Sequence, residues 1–458
     1  MRYKIIDEKS INNILSNQQK PSKEAVLAVL NKASQKRGLS LEDAGCLINC
    51  QDPRLIKKLF QTAKQIKDEI YGERIVFFAP LYVSDFCVND CAYCNFHINN
   101  SDLERRKLVL EDVKEQVKFL INMGHKRILL EAGEDPTKNN IDYIVKVIKK
   151  IYSVRTKKGN IRRINVNIAA TTVDNYRKLK KANIGTYQLF QETYHRKTYE
   201  KLHKGPKQDY QRQITAHVRA FKAGIDDLGL GVLFGLYDWR FEVLALISHA
   251  QYMDKKLGVG PHTISVPRFC PAPTVTYKPE YLVKDKDFLK IIAILRLAVP
   301  YTGMIISTRE RPEVRKKAFS IGISQASACS VTSVGGYGKK TERQQFTISD
   351  ERPLDEVIKD IVNDSLLPSF CTACYRIGRT GEDFMRFSKS GNIHNFCRPN
   401  GLLTFAEYLE DFAKAGDMYK KGYQLINFYL NKIENKKLRS QAKDKLLKIK
   451  QGQRDLYF

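Results

Sequence analysis

Six of the ten cysteines fall into two triplets whose spacing suits iron rather than disulfides. Cys87, Cys91 and Cys94 stand in C-V-N-D-C-A-Y-C, while Cys371 and Cys374 form C-T-A-C and Cys397 follows after 22 residues, 397 − 374 − 1. Three thiolates hold a four-iron cluster and leave one iron open to something other than protein. Closed four-cysteine clusters chiefly carry electrons, whereas an open metal position is where chemistry happens. The plainer alternatives are scattered core cysteines, since a thiol packs as a small hydrophobe, or one zinc site drawn from both triplets.

The chain must be able to position such sites. Its 458 residues, 43% hydrophobic, suffice for one large barrel with additions. Ten cysteines are too few for a disulfide scaffold in so long a chain, so the clustered thiols read as metal ligands in a reducing compartment. No apolar run reaches roughly 18 residues, and Met1 to Asp7 carries no secretory pattern. A cytoplasmic protein without membrane contact is expected. The formal charge of +28, from 78 Lys plus Arg against 50 Asp plus Glu, would suit a polyanion. The cations are spread, however, and no RNA-binding motif with interleaved aromatics accompanies them, so no nucleic-acid partner is expected.

Residues 1–73 read as a helical extension, with one amphipathic stretch around Ala25 to Leu30 and a capping box at Ser40 and Asp43. Cys46 and Cys50, four apart on that second helix, read as buried packing. From residue 74 to 341, β-type runs at 75–83, 127–131, 164–168, 186–190, 228–234, 263–267, 304–307 and 321–325 alternate with helical stretches such as 111–121, 173–182, 240–253 and 288–297. Eight strands in βα order predict an α/β fold, a closed (β/α)8 barrel of TIM type. Residues 342–458 change character and predict a C-terminal helical domain around the second triplet.

In such a barrel reactive groups sit on loops at the C-terminal ends of strands. The first triplet follows strand one directly, and CxxxCxxC with Tyr93 before its last Cys resembles the radical S-adenosylmethionine (SAM) superfamily. Glu131-Ala132-Gly133-Glu134, after strand two, looks like that superfamily's G-G-E segment. The resemblance implies a 4Fe-4S cluster on Cys87, Cys91 and Cys94 whose open iron is chelated by SAM, reductive cleavage of which releases a 5′-deoxyadenosyl radical. It also makes Tyr93, Gly133, Glu134, Asn167, Glu192 and Arg212 candidate SAM contacts, and the glycine-spaced strand 229–235 a rest for the adenine.

The segments 187–194, 205–210, 224–227, 234–240 and 261–268 are similar to the tyrosine-cleaving branches. These are the thiamine-pathway tyrosine lyases, or 2-iminoacetate synthases, and the FeFe-hydrogenase H-cluster maturases called HydG. Only the maturases carry the CxxC-x22-C triplet. That resemblance implies cleavage of L-tyrosine at Cα–Cβ to p-cresol and dehydroglycine, and conversion of the latter to carbon monoxide and cyanide. A second 4Fe-4S cluster on Cys371, Cys374 and Cys397 would carry an additional iron, with His262 as a ligand and a free cysteine bound. Implied partners are a reduced ferredoxin or flavodoxin-type donor and the other hydrogenase maturases.

Ser307, Thr308, Arg309 and Glu310 end strand seven at the first cluster's rim and are expected to hold the tyrosine carboxylate, a planar guanidinium suiting a bidentate carboxylate. A structural Arg309–Glu310 ion pair is the plainer reading. His262 precedes strand six and so belongs to the opposite end. Clusters at opposite ends would stand at least ~15 Å apart, because five or six strand residues span ~17 to 20 Å. Small products would then cross the barrel interior. Cys270 and Cys329, near the ends of strands six and eight, read as packing. A non-catalytic two-cluster electron carrier and a two-cluster tRNA-modifying radical enzyme are the readings from other classes.

Overall fold

The computed structural model describes residues 4–339, 343–414 and 416–458. Eight parallel strands close into a barrel: β1 (Arg74–Ser84), β2 (Arg127–Ala132), β3 (Arg163–Asn167), β4 (Tyr187–Gln188), β5 (Leu228–Gly231), β6 (Thr263–Ser265), β7 (Gly303–Ile306) and β8 (Gln325–Ser327). The β2–β1 pairing completes the ring.

β1 is the axis of the molecule. Its sequence R-I-V-F-F-A-P-L-Y-V-S is buried on both faces, as a strand walled in by helices must be. Its start pairs with β9 (Leu367–Ser369), its middle with β8 and its end with β2. Ten residue steps at ~3.3 Å give it a length of about 33 Å, so groups gathered at Arg74 are far from groups on the loop beyond Ser84.

The eighth strand departs from the sequence expectation. Residues 321–323 are apolar, yet the amide N–H groups of Ile321, Gly322 and Ile323 all donate to Ala318 O and close the helix Pro312–Phe319. Their burial belongs to a helix end, and the strand begins at Gln325. The ninth strand has no counterpart in the sequence expectation. Leu367-Pro368-Ser369 is too short and too Pro-rich to show the alternation that marks a strand.

Most TIM barrels are filled by branched aliphatics. Here Gln188 Nε2 donates to Thr263 Oγ1 at 3.2 Å within the barrel, and Gln325 and Asn165 are buried beside them on their strands. A Cβ at Gly229 would come within 2.6 Å of both Gln188 Cγ and Thr263 Oγ1, so glycine leaves the room these side chains fill. Above them Phe78, Leu129 and Ile305 form a small apolar cluster.

Four helices, Glu8–Asn17, Lys23–Ala33, Leu41–Asn49 and Pro53–Tyr71, make up the N-terminal extension. Ser40 and Asp43 form the capping box expected of them, and Cys46 and Cys50 lie in the core. After residue 343 the helix Leu354–Asn363, β9 and the helices Gly381–Lys389, His394–Phe412, Asp417–Asn431 and Lys436–Lys450 follow. The domain boundary expected at 341–342 lies outside the described residues, as does the start of the chain at residues 1–3. Among the described residues no helix is long and apolar enough to cross a membrane.

Candidate sites at the two ends of the barrel

The first cysteine loop starts three residues beyond β1. Gly133 N donates to Ser84 O at 2.9 Å and Val88 N to Glu134 O at 2.7 Å, which sews the loop to the end of β2. A Cβ at position 133 would stand 2.4 Å from the Phe86 carbonyl oxygen. Only glycine permits that approach.

Cys87, Cys91 and Cys94 line one cavity of about 210 Å³, together with Tyr93, Gly133, Glu134, Asn167 and Glu192. Ser307, Thr308 and Arg309 line the same cavity from β7's end. Two expected members are not among its lining residues. Arg212 stands behind Glu134, donating from Nη2 to Glu134 Oε1 and to Ala170 O, while Asn89 Nδ2 holds Glu134 Oε2 at 2.7 Å. Glu310, 2% exposed, receives Arg268 Nε at 3.0 Å on both carboxylate oxygens. The ion pair is therefore Arg268–Glu310, and the Arg309 guanidinium lies instead 3.2 Å from the centre of the Phe346 ring. In the turn that follows β7, residues 309 and 310 thus face different partners.

The cavity is electrostatically tense. Burial and then the Cys87 sulfur push the Cys94 thiol up to about 11, and burial raises Cys91 as well. Burial opposes charge on Lys207, but Glu192, whose Oε1 is 2.7 Å from Nζ, and Cys91 more than restore it. Glu192 itself has φ +68°, in the left-handed region costly for a residue with a side chain. Glu131 also lines the cavity. Burial lifts its carboxyl to about 8, against the pull of Asn167 Nδ2 at 3.1 Å and of Arg309.

The other end gathers around the start of β1. Arg74 Nη2 donates to Cys397 Sγ at 2.9 Å, Arg379 Nη1 to Cys374 Sγ at 3.9 Å, and Ala373 N to Cys371 Sγ at 3.4 Å. Burial, then Cys397 and Cys371, raise the Cys374 thiol to about 12. Arg127 and Arg163, first residues of β2 and β3, hold Tyr375 from the barrel side. Arg127 Nη2 donates to its hydroxyl at 2.8 Å and the Arg163 guanidinium lies 4.7 Å from its ring centre.

His262 sits at this same end, 7% exposed. Its ring is stacked between Phe384 at 3.8 Å and Tyr375 at 5.6 Å, both from the C-terminal segment. Asp227 Oδ2 lies 3.2 Å from His262 Nδ1. Burial, then Arg127 and Arg74, lower the imidazole to about 3, so the ring is neutral, as a metal ligand must be.

The donor chemistry at both ends fits iron–sulfur clusters. Each end presents three sulfurs and cationic neighbours that offset thiolate charge, a soft set that selects zinc, copper(I) or iron–sulfur guests. Among the described residues no three His, Cys, Asp or Glu side chains are arranged to hold a single metal ion. One zinc site drawn from both triplets is ruled out by the length of β1, and no disulfide is formed. Sequence reasoning missed Glu131, Lys207, Asp227 and Tyr375 as members of these sites. Glu131 had a signal, being the inward position of β2 two residues before Gly133. Tyr375 had only its adjacency to Cys374.

Residues 81–246 match the radical SAM superfamily model, and residues 265–366 match the biotin and thiamin synthesis associated domain. The chain is 29% identical over 344 residues to a 2-iminoacetate synthase of Salmonella typhimurium, covering 74% of this chain and 89% of that protein. A crystal structure of HydG, described as a maturase of the FeFe-hydrogenase, superposes with TM-score 0.96 at 52% identity over 100% of both chains. The FeFe-hydrogenase maturase HydG of Carboxydothermus hydrogenoformans superposes with TM-score 0.85 at 40% identity, over 96% of this chain and 97% of that one.

Proposed function

Because this chain belongs to the radical SAM superfamily, in the family of the HydG maturases, we propose that it cleaves L-tyrosine at Cα–Cβ and converts the fragment into iron-bound carbon monoxide and cyanide. The observation that carries this reading is the placement of two cysteine triplets at opposite ends of one strand, the second beside His262.

At the first end Cys87, Cys91 and Cys94 would hold a 4Fe-4S cluster. Bound there with SAM, that cluster supplies a 5′-deoxyadenosyl radical. Tyr93 is fixed by its hydroxyl's 2.8 Å bond with His203 Nε2 and walls the cluster side of the cavity. Glu134 and Glu192 are held by Arg212 and Lys207 in positions suited to the SAM amine and ribose. Arg309, with the Ser307 and Thr308 hydroxyls, receives the tyrosine carboxylate. Glu310 takes no part in that contact and instead anchors the loop through Arg268.

At the second end Cys371, Cys374 and Cys397 would hold the auxiliary cluster and His262 the additional iron, which is the cargo that leaves as an iron-carbonyl-cyanide-cysteine unit for the H-cluster. Asp227 Oδ2 lies 3.2 Å from His262 Nδ1 without an aligned hydrogen bond; a small turn of the ring would let Nδ1–H donate to it and leave Nε2 for the metal. Small products crossing the barrel to this end would have to pass Gln188, Thr263 and Gln325, side chains that fill the interior and must move aside.

The test is anaerobic reconstitution followed by assay of tyrosine turnover in wild type and in Cys374→Ala. Wild type is expected to form p-cresol, carbon monoxide and cyanide, and the variant to form p-cresol without iron-bound carbonyl. Dehydroglycine or its hydrolysis product as the sole fragment from wild type would assign the chain to the 2-iminoacetate synthase activity instead.

A further inference from the structure

The proposed reaction places a demand that none of the residues assigned above meets. The resemblance to the tyrosine-cleaving enzymes implies that the adenosyl radical takes hydrogen from the tyrosine amine, and an amino acid arrives carrying an ammonium. A group in the cavity must bind that cation and take one proton from it. We propose that Glu131 is this group, binding the substrate ammonium beside the Arg309 carboxylate contact and acting as the base that neutralises it.

The geometry singles out Glu131 among the cavity's carboxylates. Glu134 is tied at both oxygens, by Arg212 and by Asn89. Glu192 is tied to Lys207. Glu131 accepts one hydrogen bond, from Asn167 Nδ2 at 3.1 Å. It stands on β2 opposite Tyr82 of β1 and Asn167 of β3 in the strand register, one inward position below Gly133. A ligand resting on Gly133 and Glu134 therefore has Glu131 beneath it, between the cluster loop and the barrel interior.

The charged and titratable groups facing Glu131 come from each neighbouring element. Arg309, beyond β7, favours its ionised form; Glu192, beyond β4, disfavours it; Tyr82 of β1 is itself raised by burial and then by Glu131. Arg309 and Glu131 together form the cation and anion pair that the two ends of an α-amino acid head group require. Burial in this cavity raises the proton affinity of Glu131 well above that of an ordinary carboxylate. A base of that strength is matched to proton exchange with an amine near neutral pH.

The proton balance is simple: the carboxylate of Glu131 and the ammonium of tyrosine become a carboxylic acid and a neutral amine. No external oxidant or reductant is involved. After C–C cleavage Glu131 returns the proton to solvent or to a departing fragment.

This inference rests on the tyrosine-lyase reading, and the experiment separates the two. In reconstituted holoenzyme, p-cresol and 5′-deoxyadenosine are measured between pH 6 and about 9.5 for wild type, Glu131→Gln and Glu131→Asp, with saturating SAM. Wild-type kcat/KM for tyrosine is expected to rise with pH through about 8, because Glu131 must be ionised to accept the proton. Glu131→Gln should lose that limb and fall ~10² to 10⁴-fold in p-cresol formation. Glu131→Asp should recover part of the rate. Binding of 3-(4-hydroxyphenyl)propionate, which lacks the amine, should not weaken in either variant. Wild-type rates in Glu131→Gln, or a defect confined to SAM affinity, would overturn the role of Glu131. Should the Gln variant load no cluster, a wild-type profile that is flat between pH 6 and 9 would overturn it equally. Failure of wild type to release p-cresol at all would refute the lyase reading itself.

Discussion

The two ends of the barrel solve opposite problems with the same number of thiols. At the C-terminal rim, Cys87, Cys91 and Cys94 share a cavity with loop residues from β2, β3, β4 and β7, and the lining includes Glu131, which accepts a hydrogen bond from Asn167, and Ser330, whose hydroxyl has no partner among the described residues. At the N-terminal end the sulfurs are bonded by Arg74, Arg379 and a backbone N–H, and His262 is stacked between two aromatic rings. The rim is a site where small molecules come and go. The base is a clamp, built where a chain segment from outside the barrel closes on strand starts. The fold supplies the rim, since active residues on βα loops are general to such barrels. The base had to be added, and the addition consists of β9 and the helices that carry Tyr375, Phe384 and Cys397.

If the ends divide the labour in this way, damage to one should leave the other intact. The largest effect is expected from Cys91→Ala. It should abolish SAM cleavage, with p-cresol below detection, while the cluster signal of the second end persists in electron paramagnetic resonance. Loss of both signals together would mean that the ends are one cooperative unit. Next comes Arg309→Ala. Removing one partner of a buried charge contact costs ~2 to 5 kcal/mol, or about 30-fold to 10³-fold or more. That loss should appear in kcat/KM for tyrosine and not in SAM binding. A matching loss of SAM affinity would move Arg309 from the substrate to the cofactor.

At the base the corresponding change is Asp227→Asn. A partner that orients a metal-bound imidazole is worth ~10 to 100-fold in metal affinity. The variant should therefore release the additional iron ~10 to 100-fold more readily, measured by iron content and by the spectrum of the auxiliary site. Its p-cresol rate should equal wild type. A fall in p-cresol would show that the base acts back on the rim.

How far the chain announces this division differs between the ends. The first triplet, Gly133-Glu134 and the βα rhythm are local in sequence, so the rim is readable down to most of its residues. The two expected residues that do not line the cavity differ by facing, as at Glu310, or by depth, as at Arg212. The base is assembled from positions 74, 127, 163, 227, 262, 375 and 397, which no periodicity links. Its cysteines and His262 are recognisable by residue type. Its arginines, Asp227 and Tyr375 are not, because a buried guanidinium looks like any surface arginine until the partner that buries it is known. β9 fails for the complementary reason: three residues added to a strand edge need no alternation of their own.

The smallest effect, and the sharpest check on where each thiol belongs, concerns Cys270. It lines the rim cavity, yet it is not part of the triplet, and its sulfur lies 3.7 Å from the Arg309 carbonyl oxygen, to which it donates. Burial raises this thiol above its ordinary range, with Arg309 pulling the other way. Burial raises Cys91, Cys94 and Cys374 in the same direction, so acidity does not set Cys270 apart; its place outside the CxxxCxxC run and the S–H it donates to the Arg309 carbonyl do. Cys270→Ala removes one weak hydrogen bond and a small volume next to the loop that carries Arg309. The expected result is full cluster loading at both ends and a tyrosine KM raised by a factor of ~2 to 5, in keeping with ~0.5 to 1 kcal/mol for a weak bond. SAM cleavage should be unaltered. A variant that lost the first cluster's signal would instead make Cys270 a ligand, close that cluster with a fourth thiolate, and remove the open position on which the contrast between the two ends depends.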